Sequence, residues 1–475
     1  MNRLLLAISM VLAARTASAQ AKPTKLAPTV ARFVAVDDSV VALTHVRVVD
    51  GTGRPAADDQ TIVIRDGRIA AVGRAASVSV PTTARVLDLA GHTVIPGLVG
   101  MHEHTYFASG TRLTQMPVSA PRLYLANGVT TIRTTGSFFP YVEINMKRAI
   151  DEGTLAGPRM HITGPYLNGD PSSPLSYERH LRSEAEARRV VDYWAAEGAT
   201  WLKVMGTVSR AILAAVIDEA HQRGLRVTAH LCSVTFREAA ALGIDNVEHG
   251  LITDSDYVPD KQADACPRDN MKKQIEVDVD GEAVKRSIRE LVARHVAVTS
   301  TLSVYELFVA SRAKLDPRAL DALAPAVREE VEADHAALGT EKSEFDLSPV
   351  LFQKMMQYDR AFVRAGGLLV SGVDPWGNGS LPGYGDLRNF ELFVEAGFTP
   401  EEAIRIMSAN GAALLGESGW HGTIEAGKVA DLAVINGDPV HKPADIYNMA
   451  LVFRDGIGYD SKKLIESVKG QVGIR

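Results

Sequence analysis

The alternation of apolar and polar positions changes twice along the chain. Near the N-terminus, short β-like runs are separated by turn residues such as Asp66-Gly67. These runs cover residues 33–36, 40–49, 60–64, 68–72 and 85–88. Similar runs return after residue 416, at residues 422–424, 430–435 and 449–454. Neither end is long enough to enclose a core alone, so we expect residues 20–94 and 417–475 to combine in one small composite β-sandwich.

Between these two ends, apolar strands alternate with helical segments, which is typical of βα units and a parallel sheet. One predicted helix, residues 183–197, opens with Ser183 and has Glu186 three positions later, which is a capping pattern. Another spans residues 209–222. The predicted strands are residues 94–104, 129–134, 160–163, 201–205, 226–231, 246–249, 296–301 and 368–374. Eight such units predict an α/β fold, a TIM (β/α)8 barrel, over residues 95–416.

Composition adds limits on partners and compartment. The 475 residues are 46% hydrophobic and 23% charged, as in ordinary globular proteins. A net charge of -6 argues against nucleic acid or an acidic membrane surface as a partner. Residues 1–19 combine Arg3, an apolar stretch and Ala17-Ser18-Ala19, which predicts a signal peptide. We therefore expect an exported protein, periplasmic or secreted, that is free of the membrane once this segment is removed.

Two cysteines, Cys232 and Cys266, are the only ones in the chain. Export would permit a disulfide between them. With a single pair, spacing does not distinguish a bridge from two free thiols, and both alternatives stay open.

Residues able to bind a metal stand at the predicted C-terminal ends of the barrel strands, where barrel enzymes place their active sites. His102 and His104 end the first strand and, two residues apart, share one face of it. The full set is His102, His104, Lys203, His230, His249 and Asp374. Each alone has an ordinary structural explanation, such as a core histidine or a lysine paired with a carboxylate. Together, they predict a metal site.

This set resembles the pattern of the amidohydrolase superfamily, and the resemblance extends over nearly the whole chain after residue 19. The segment 227–250, VTAHLCSVTFREAAALGIDNVEHG, most resembles the imidazolonepropionase-like and prolidase-like (Xaa-Pro dipeptidase) branch. One position departs from the pattern. The superfamily commonly has an Asp two residues before the first metal histidine, and here that position is Gly100. The departure puts in doubt a hydrogen bond to a metal ligand.

The resemblance implies a centre of two divalent metal ions, with zinc as the expected metal. His102, His104 and Asp374 would bind one ion. His230 and His249 would bind the other. Lys203, carboxylated by CO2, would bridge the two ions. A bridging hydroxide would attack an amide carbonyl, and Asp374 would serve as the base that passes the proton to the leaving amine.

Candidate substrate contacts follow from position after the strands, and they are Tyr106, Arg133, Tyr166, Tyr305 and Trp376. Arg133 or Tyr305 would suit a substrate carboxylate. The alternative is that these are ordinary loop aromatics and a structural arginine. The segment 305–366 is long, helical and charged, which is compatible with a lid, a structural cap or an oligomer contact.

The predicted function is hydrolysis of an amide bond in a small molecule, by a dipeptidase or an N-acyl amino acid hydrolase. The same ligands would serve a cyclic amidase that opens an imidazolone or hydantoin ring. A non-catalytic scaffold is a further alternative, but loss of ligands would mark it and none is lost. Whether the chain forms a homo-oligomer stays open.

Overall fold

The computed structural model describes residues 25–109, 112–169, 178–343 and 345–474. The predicted signal peptide, residues 1–19, lies outside these ranges. Within them, no helix combines the length and the apolar character needed to cross a membrane.

The strands, in chain order, fall into a group before residue 97, a long middle group and a short final group. They are β1 Val34–Val36, β2 Val40–Val48, β3 Ala57–Arg65, β4 Arg68–Arg74, β5 Arg85–Asp88, β6 His92–Pro96, β7 Leu98–Glu103, β8 Tyr106–Ser109, β9 Arg112–Gln115, β10 Val129–Thr134, β11 Arg159–His161, β12 Tyr166–Asn168, β13 Arg179–His180, β14 Trp201–Val204, β15 Arg226–Ala229, β16 Asn246–Glu248, β17 Ala297–Ser300, β18 Leu369–Ser371, β19 Leu432–Asn436, β20 Met449–Arg454 and β21 Ile457–Asp460.

Most helices alternate with the strands of the middle group, and one short helix lies near each end of the described chain. They are α1 Pro28–Ala31, α2 Ser119–Ala126, α3 Pro140–Asp151, α4 Glu184–Ala196, α5 Arg210–Gln222, α6 Phe236–Leu242, α7 Asn270–Gln274, α8 Glu282–Ala293, α9 Leu302–Glu306, α10 Pro317–Ala322, α11 Pro325–Ala337, α12 Pro349–Arg364, α13 Tyr384–Ala396, α14 Pro400–Met407, α15 Ala409–Leu415 and α16 Ser461–Glu466. Two short 3₁₀ helices cover Gly250–Thr253 and Pro443–Tyr447.

Strands from both chain ends join in one mixed sheet. In the part of the chain that the structure describes, its nine strands run β1-β21-β20-β19-β6-β2-β3-β4, with β5 beside β2. Strand β19 joins the two ends, because it pairs antiparallel with β6 on one side and with β20 on the other. The ends therefore combine as expected, but they do so in a single sheet, and a two-layer sandwich is not confirmed.

The middle group forms parallel sheets flanked by helices, which is a TIM-barrel-like α/β arrangement. The described strands run β11-β10-β7 in one sheet and β13-β12-β14-β15-β16-β17-β18 in the other. Isolated backbone bonds link the two sheets: Thr200 N–H donates to the Ile162 carbonyl at 2.9 Å, and Asp374 N–H donates to the His102 carbonyl at 2.8 Å. These links fall short of a closed eight-stranded barrel, which stays a prediction.

The parallel strands present two different faces. Apolar residues such as Ile132, Val227 and Val298 belong to the main hydrophobic core, together with helix residues such as Leu213 and Phe236. The alternate positions carry polar side chains that hydrogen-bond to one another, as described below. This alternation follows from the period of two in a strand. It leaves a polar interior directly beneath the C-terminal strand ends.

Most predicted strands are present, but one is divided between two sheets and another is absent. The predicted strand 94–104 is two strands, since β6 belongs to the mixed sheet and β7 to the parallel one. They separate at Gly97, whose N–H donates to the Asp431 carbonyl at 2.8 Å. A continuous apolar run does not reveal that its two halves pair with different partners. The predicted strand at 422–424 is wrong, and the hairpin β8–β9 and the strands β12, β13 and β21 were missed.

The two predicted helices are confirmed as α4 and α5. Ser183 caps α4 by accepting from Glu186 N–H at 3.2 Å. The reciprocal half of the capping box is absent, because the Glu186 carboxylate accepts from Arg182 N–H instead. Cys232 and Cys266 form a disulfide with their Cα atoms 4.9 Å apart, which resolves the alternative that the sequence left open.

Candidate functional site

The sequence-predicted metal ligands gather at the C-terminal ends of the parallel strands. They share that edge because parallel strands all end on the same side of a sheet. His102 lies in β7 and Lys203 in β14, whereas His104, His230, His249 and Asp374 follow the ends of β7, β15, β16 and β18.

A group of three donors can be read directly from the atoms. One ligand atom each from His102, His249 and Asp374 lies within 4.8 Å of the other two. The imidazoles of His102 and His249 are buried, and the Asp374 side chain is 20% exposed. Imidazole nitrogen and carboxylate oxygen are typical zinc ligands. These residues therefore form a candidate metal site that opens toward solvent at Asp374.

The other three predicted ligands border this group. The Nε2 atom of His104 lies 3.0 Å from Oδ1 of Asp374. The His230 ring centroid is 4.7 Å from that of His249. Lys203 is buried and pairs in register with Tyr166 of β12 and Thr228 of β15. The six residues are thus neighbours, but their division between two ions stays a prediction.

Two members of the site have a backbone conformation that L-residues rarely adopt. His249 has a φ of 69° and Asp374 a φ of 55°, both in the left-handed region. Such a conformation costs roughly 1–3 kcal/mol per residue and is concentrated at functional sites. Close packing of β7 against the approach to Asp374 requires a glycine, since a Cβ on Gly372 would lie 2.7 Å from the Cα atom of His102.

Burial sets the protonation of the site. It lowers the pKa values of His102 and His230 to about 4, and that of His249 well below its ordinary value. The imidazoles are therefore neutral at pH 7, as metal ligation requires. Burial likewise lowers the pKa of Lys203 to about 8, against the opposing effect of nearby carboxylates. Lys203 therefore loses its proton far more readily than an ordinary lysine does.

Asp374 has the opposite balance. Burial by itself would raise the pKa of this carboxyl. The neighbouring His102 and His104 outweigh that effect and hold the pKa well below its ordinary value. The carboxylate is therefore ionised at neutral pH and available as a ligand or as a base.

Glu248 is a site residue that the sequence reasoning missed. It is completely buried, and its Oε2 atom accepts from Nδ1 of His102 at 2.8 Å. Its Oε1 atom accepts from Arg133 at 2.6 Å and also from Thr228 Oγ1. A carboxylate on Nδ1 orients a metal-binding imidazole and leaves Nε2 free for the metal. The available signal was an acidic residue directly before His249, at the end of the short strand Asn246–Glu248.

Arg133 is fully buried. Its guanidinium donates to Glu248, to the Asn246 side chain at 2.9 Å and to the Met101 carbonyl, and it lies 4.6 Å from the ring centroid of Trp201. With these partners it fills the polar interior beneath the site. This position favours the structural alternative over the prediction that Arg133 holds a substrate carboxylate.

Aromatic side chains pack together beside His104. We call Tyr106, Phe138, Tyr166 and Trp376 the aromatic wall. The Tyr106 ring stacks on His104 at 4.8 Å, and its hydroxyl lies 2.5 Å from that of Tyr166. Trp376 meets Tyr106 edge-on at 5.8 Å. Three of these residues were predicted, whereas Phe138, which contacts the other three, was missed.

Two further features lie beside the aromatic wall. Tyr305, the remaining predicted substrate contact, meets the His249 ring edge-on at 5.5 Å. Phe138 also lines a surface cavity of about 470 Å³ together with Pro165 and Trp194. None of the candidate metal ligands lines that cavity. The candidate metal site is therefore separate from this cavity.

Known proteins resemble this chain in both sequence and fold. The sequence pattern of the Amidohydrolase family matches residues 93–456. An imidazolonepropionase from Nocardia farcinica is 38% identical over 137 residues, or 28% of this chain and 33% of that protein. One from Streptomyces griseus is 28% identical over 236 residues, or 41% of this chain and 57% of that protein. The chain thus aligns with less than two thirds of either relative.

A solved Xaa-Pro dipeptidase with bound methionine in its active site shares the fold. It has a TM-score of 0.66 and 19% identity, and the comparison covers 89% of this chain and all of that one. Because the family pattern spans most of the chain, the protein belongs to the amidohydrolase family. The resemblance to imidazolonepropionase-like and prolidase-like proteins that the sequence indicated is confirmed.

Proposed function

We propose that this protein is a metal-dependent hydrolase of amide bonds in small molecules, acting as a dipeptidase or an N-acyl amino acid hydrolase. The observation that carries the proposal is the meeting of His102, His249 and Asp374 donor atoms at the C-terminal strand ends. In TIM-barrel enzymes this edge carries the active site. Membership of the amidohydrolase family supports the reaction class.

The donor set suits two divalent ions, with zinc as the expected metal. His102, His104 and Asp374 would hold one ion, and His230 and His249 the other. Lys203, as a CO2-derived carbamate, would provide oxygens between them. Burial supports this assignment, because it favours neutral imidazoles and brings the pKa of Lys203 to about 8. When bound, the metals would polarise the amide carbonyl and make water a stronger nucleophile at neutral pH.

Asp374 would perform the proton transfer. Its carboxylate is ionised, partly open to solvent and next to the candidate ligands. It would take a proton from the attacking water and deliver that proton to the leaving amine nitrogen. The same residue would then return to its ionised state, and the products would be a carboxylic acid and an amine.

The aromatic wall supports a substrate with an apolar or aromatic group beside the scissile bond. Tyr166 presents its hydroxyl 3.4 Å from Nε2 of His104, where it would donate to a substrate oxygen. Trp376 is the partly exposed member of the wall and lies two residues after Asp374. Stacking on such rings adds about 0.5–1.5 kcal/mol beyond simple burial.

A cyclic amide is the second candidate substrate, since both matching relatives are named imidazolonepropionases. A non-catalytic scaffold is disfavoured, because the six predicted ligands are neighbours and none is lost. We also propose export directed by residues 1–19. N-terminal sequencing of the protein from a periplasmic fraction would test this proposal, and a retained Met1 would contradict it.

The function is tested by a hydrolysis screen with added zinc and bicarbonate. The panel holds Xaa-Pro and other dipeptides, N-acyl amino acids, and imidazolone and hydantoin rings. Cleavage of linear substrates that is lost in Lys203→Ala and in Asp374→Asn would support the proposal. Ring opening alone would favour the cyclic amidase. A zinc-loaded, folded protein that hydrolyses nothing in the panel would contradict the proposed substrate class.

A further inference from the structure

The geometry points to Glu103 as a positioning residue for Asp374, one that occupies the space left by the glycine at position 100. This inference rests on the proposed function, which makes Asp374 a ligand and a base. It concerns a residue between two predicted ligands that binds no metal in the proposed site. Glu103 is completely buried, although glutamate is rarely buried without a specific partner.

Tyr124 and Asp386 lie beside the Glu103 carboxyl, and its backbone partner is the segment that leads into Asp374. Its Oε1 atom accepts from Val373 N–H at 3.2 Å. Val373 N–H and Asp374 N–H both donate to the His102 carbonyl as well, at 3.1 and 2.8 Å. These bonds join β7 to the turn in which Asp374 takes its left-handed conformation. A carboxyl that holds the preceding amide therefore helps to hold the strained residue.

The place of the Glu103 carboxyl depends on the absence of a side chain at position 100. A Cβ on Gly100 would overlap Oε1 of Glu103 and would lie 2.7 Å from its Cγ and 2.8 Å from its Cδ. The carboxyl of Glu103 thus lies where a side chain at position 100 would begin. The superfamily pattern commonly has an aspartate at position 100. In this chain the acidic group near that position comes from three residues later.

Tyr124, whose hydroxyl lies beside the Glu103 carboxyl, also anchors the backbone of this strand end. Its hydroxyl accepts from His104 N–H at 3.2 Å and donates to the His104 carbonyl at 2.8 Å. The Glu103 carbonyl accepts from Thr135 N–H at 3.0 Å. The backbone of residues 103 and 104 is therefore fixed on both sides. The Glu103 side chain can transmit that rigidity to the turn at Asp374.

The test replaces Glu103 and measures zinc affinity by competition with a chromophoric chelator. Glu103→Leu keeps the bulk but removes the acceptor, so we expect zinc affinity to fall about 10- to 100-fold. Glu103→Gln keeps an acceptor oxygen, and we expect affinity within about threefold of the original protein. The matched control is Asp254→Leu. Asp254 is also buried and accepts one backbone N–H, from Asp256 at 2.9 Å, away from the candidate ligands.

A second measurement needs neither metal nor substrate. Amide hydrogen exchange in the metal-free protein reports on Val373 N–H and Asp374 N–H. We expect exchange at these amides to accelerate at least tenfold in Glu103→Leu and to be unchanged in Asp254→Leu. Unchanged exchange in a folded Glu103→Leu would overturn the positioning role. Faster exchange in a protein that binds no zinc at all would instead refute the proposed function and leave the positioning role supported.

Gly100→Ala provides a variant that retains Glu103. The added methyl should displace the carboxyl, accelerate exchange at Val373 and lower the melting temperature. Adding Glu103→Ala should relieve the overlap and recover the melting temperature, while zinc affinity stays low. If Gly100→Ala is as stable as the original protein and has unchanged hydrogen exchange and zinc affinity, positions 100 and 103 are independent.

Discussion

Glu248→Gln is the most informative perturbation of the buried layer beneath the site. The substitution preserves size and one acceptor oxygen but removes a charge. Arg133 then remains as a buried cation without its ionic partner, since the side chains of both residues are completely buried. His102 also loses the carboxylate on its Nδ1 atom. We therefore expect losses in both stability and metal affinity, for separable reasons.

The losses of stability and of zinc affinity differ in size, and only the loss of stability should be reduced when the second charge is also removed. Breaking a buried ion pair from one side costs about 3–5 kcal/mol of unfolding free energy, because it leaves an uncompensated charge. Removing both charges, in Arg133→Met combined with Glu248→Gln, should cost far less, since neutral replacement of a whole buried pair is often tolerated. Zinc affinity should fall about 10- to 100-fold in both variants, because each lacks the carboxylate that orients His102.

Urea unfolding followed by tryptophan fluorescence measures the stability. The chain has four tryptophans, and Trp201 lies 4.6 Å from the Arg133 guanidinium, so its emission reports on this layer directly. The two single variants and the double variant form a thermodynamic cycle with the original protein. Zinc affinity is measured on the same four proteins by chelator competition.

Two results would refute the reasoning. If the destabilisations of the single variants simply add in the double variant, Arg133 and Glu248 do not compensate each other's charge. If Glu248→Gln binds zinc as tightly as the original protein, the bond from His102 to Glu248 does not orient a metal ligand.

Three further outcomes are expected. In metal-free, CO2-free protein, the pKa of Lys203 is about 8 in the native state and its ordinary 10.5 in the unfolded chain. Between these two pH values the unfolded chain binds more protons than the native state, so the unfolding free energy should rise with increasing pH by up to about 3 kcal/mol. Lys203→Met should abolish that rise in pH-dependent urea titrations. Replacing Cys232 and Cys266 by serine removes a bridge across 34 positions of sequence and should lower the unfolding free energy by about 3–4 kcal/mol. An unfolding free energy equal to that of the original protein would contradict this expectation. Trp376→Ala should raise KM for apolar substrates roughly tenfold. An unchanged KM would show that Trp376 does not contact the substrate.

Much of the site could be predicted from the sequence, because strand ends are local features. An apolar run that stops at a histidine, lysine or aspartate marks both a strand and its terminal side chain. The strands ending near Lys203, His230 and His249 follow the predicted limits closely. The parallel order of such strands then brings their ends to one edge without further information.

The roles of Arg133 and Glu248 could not be predicted in this way. Both lie in or at the end of buried strands, as the predicted ligands do. Arg133 meets Glu248 across 115 positions of sequence, and Glu248 meets His102 across 146. Only the packing of separate strands side by side decides that these groups point inward and neutralise each other, and periodicity along one strand carries no such information.

The sequence by itself indicated the alternation of strands and helices in the middle of the chain, the candidate ligands and the family resemblance, since each depends on residue type and short-range spacing. Tertiary structure alone decided that the apolar run through Gly97 serves two different sheets. It alone decided that Cys232 pairs with Cys266, and that Glu103 fills the space beside Gly100. These outcomes depend on distances between segments remote in sequence, where burial and steric exclusion act only after the chain has folded.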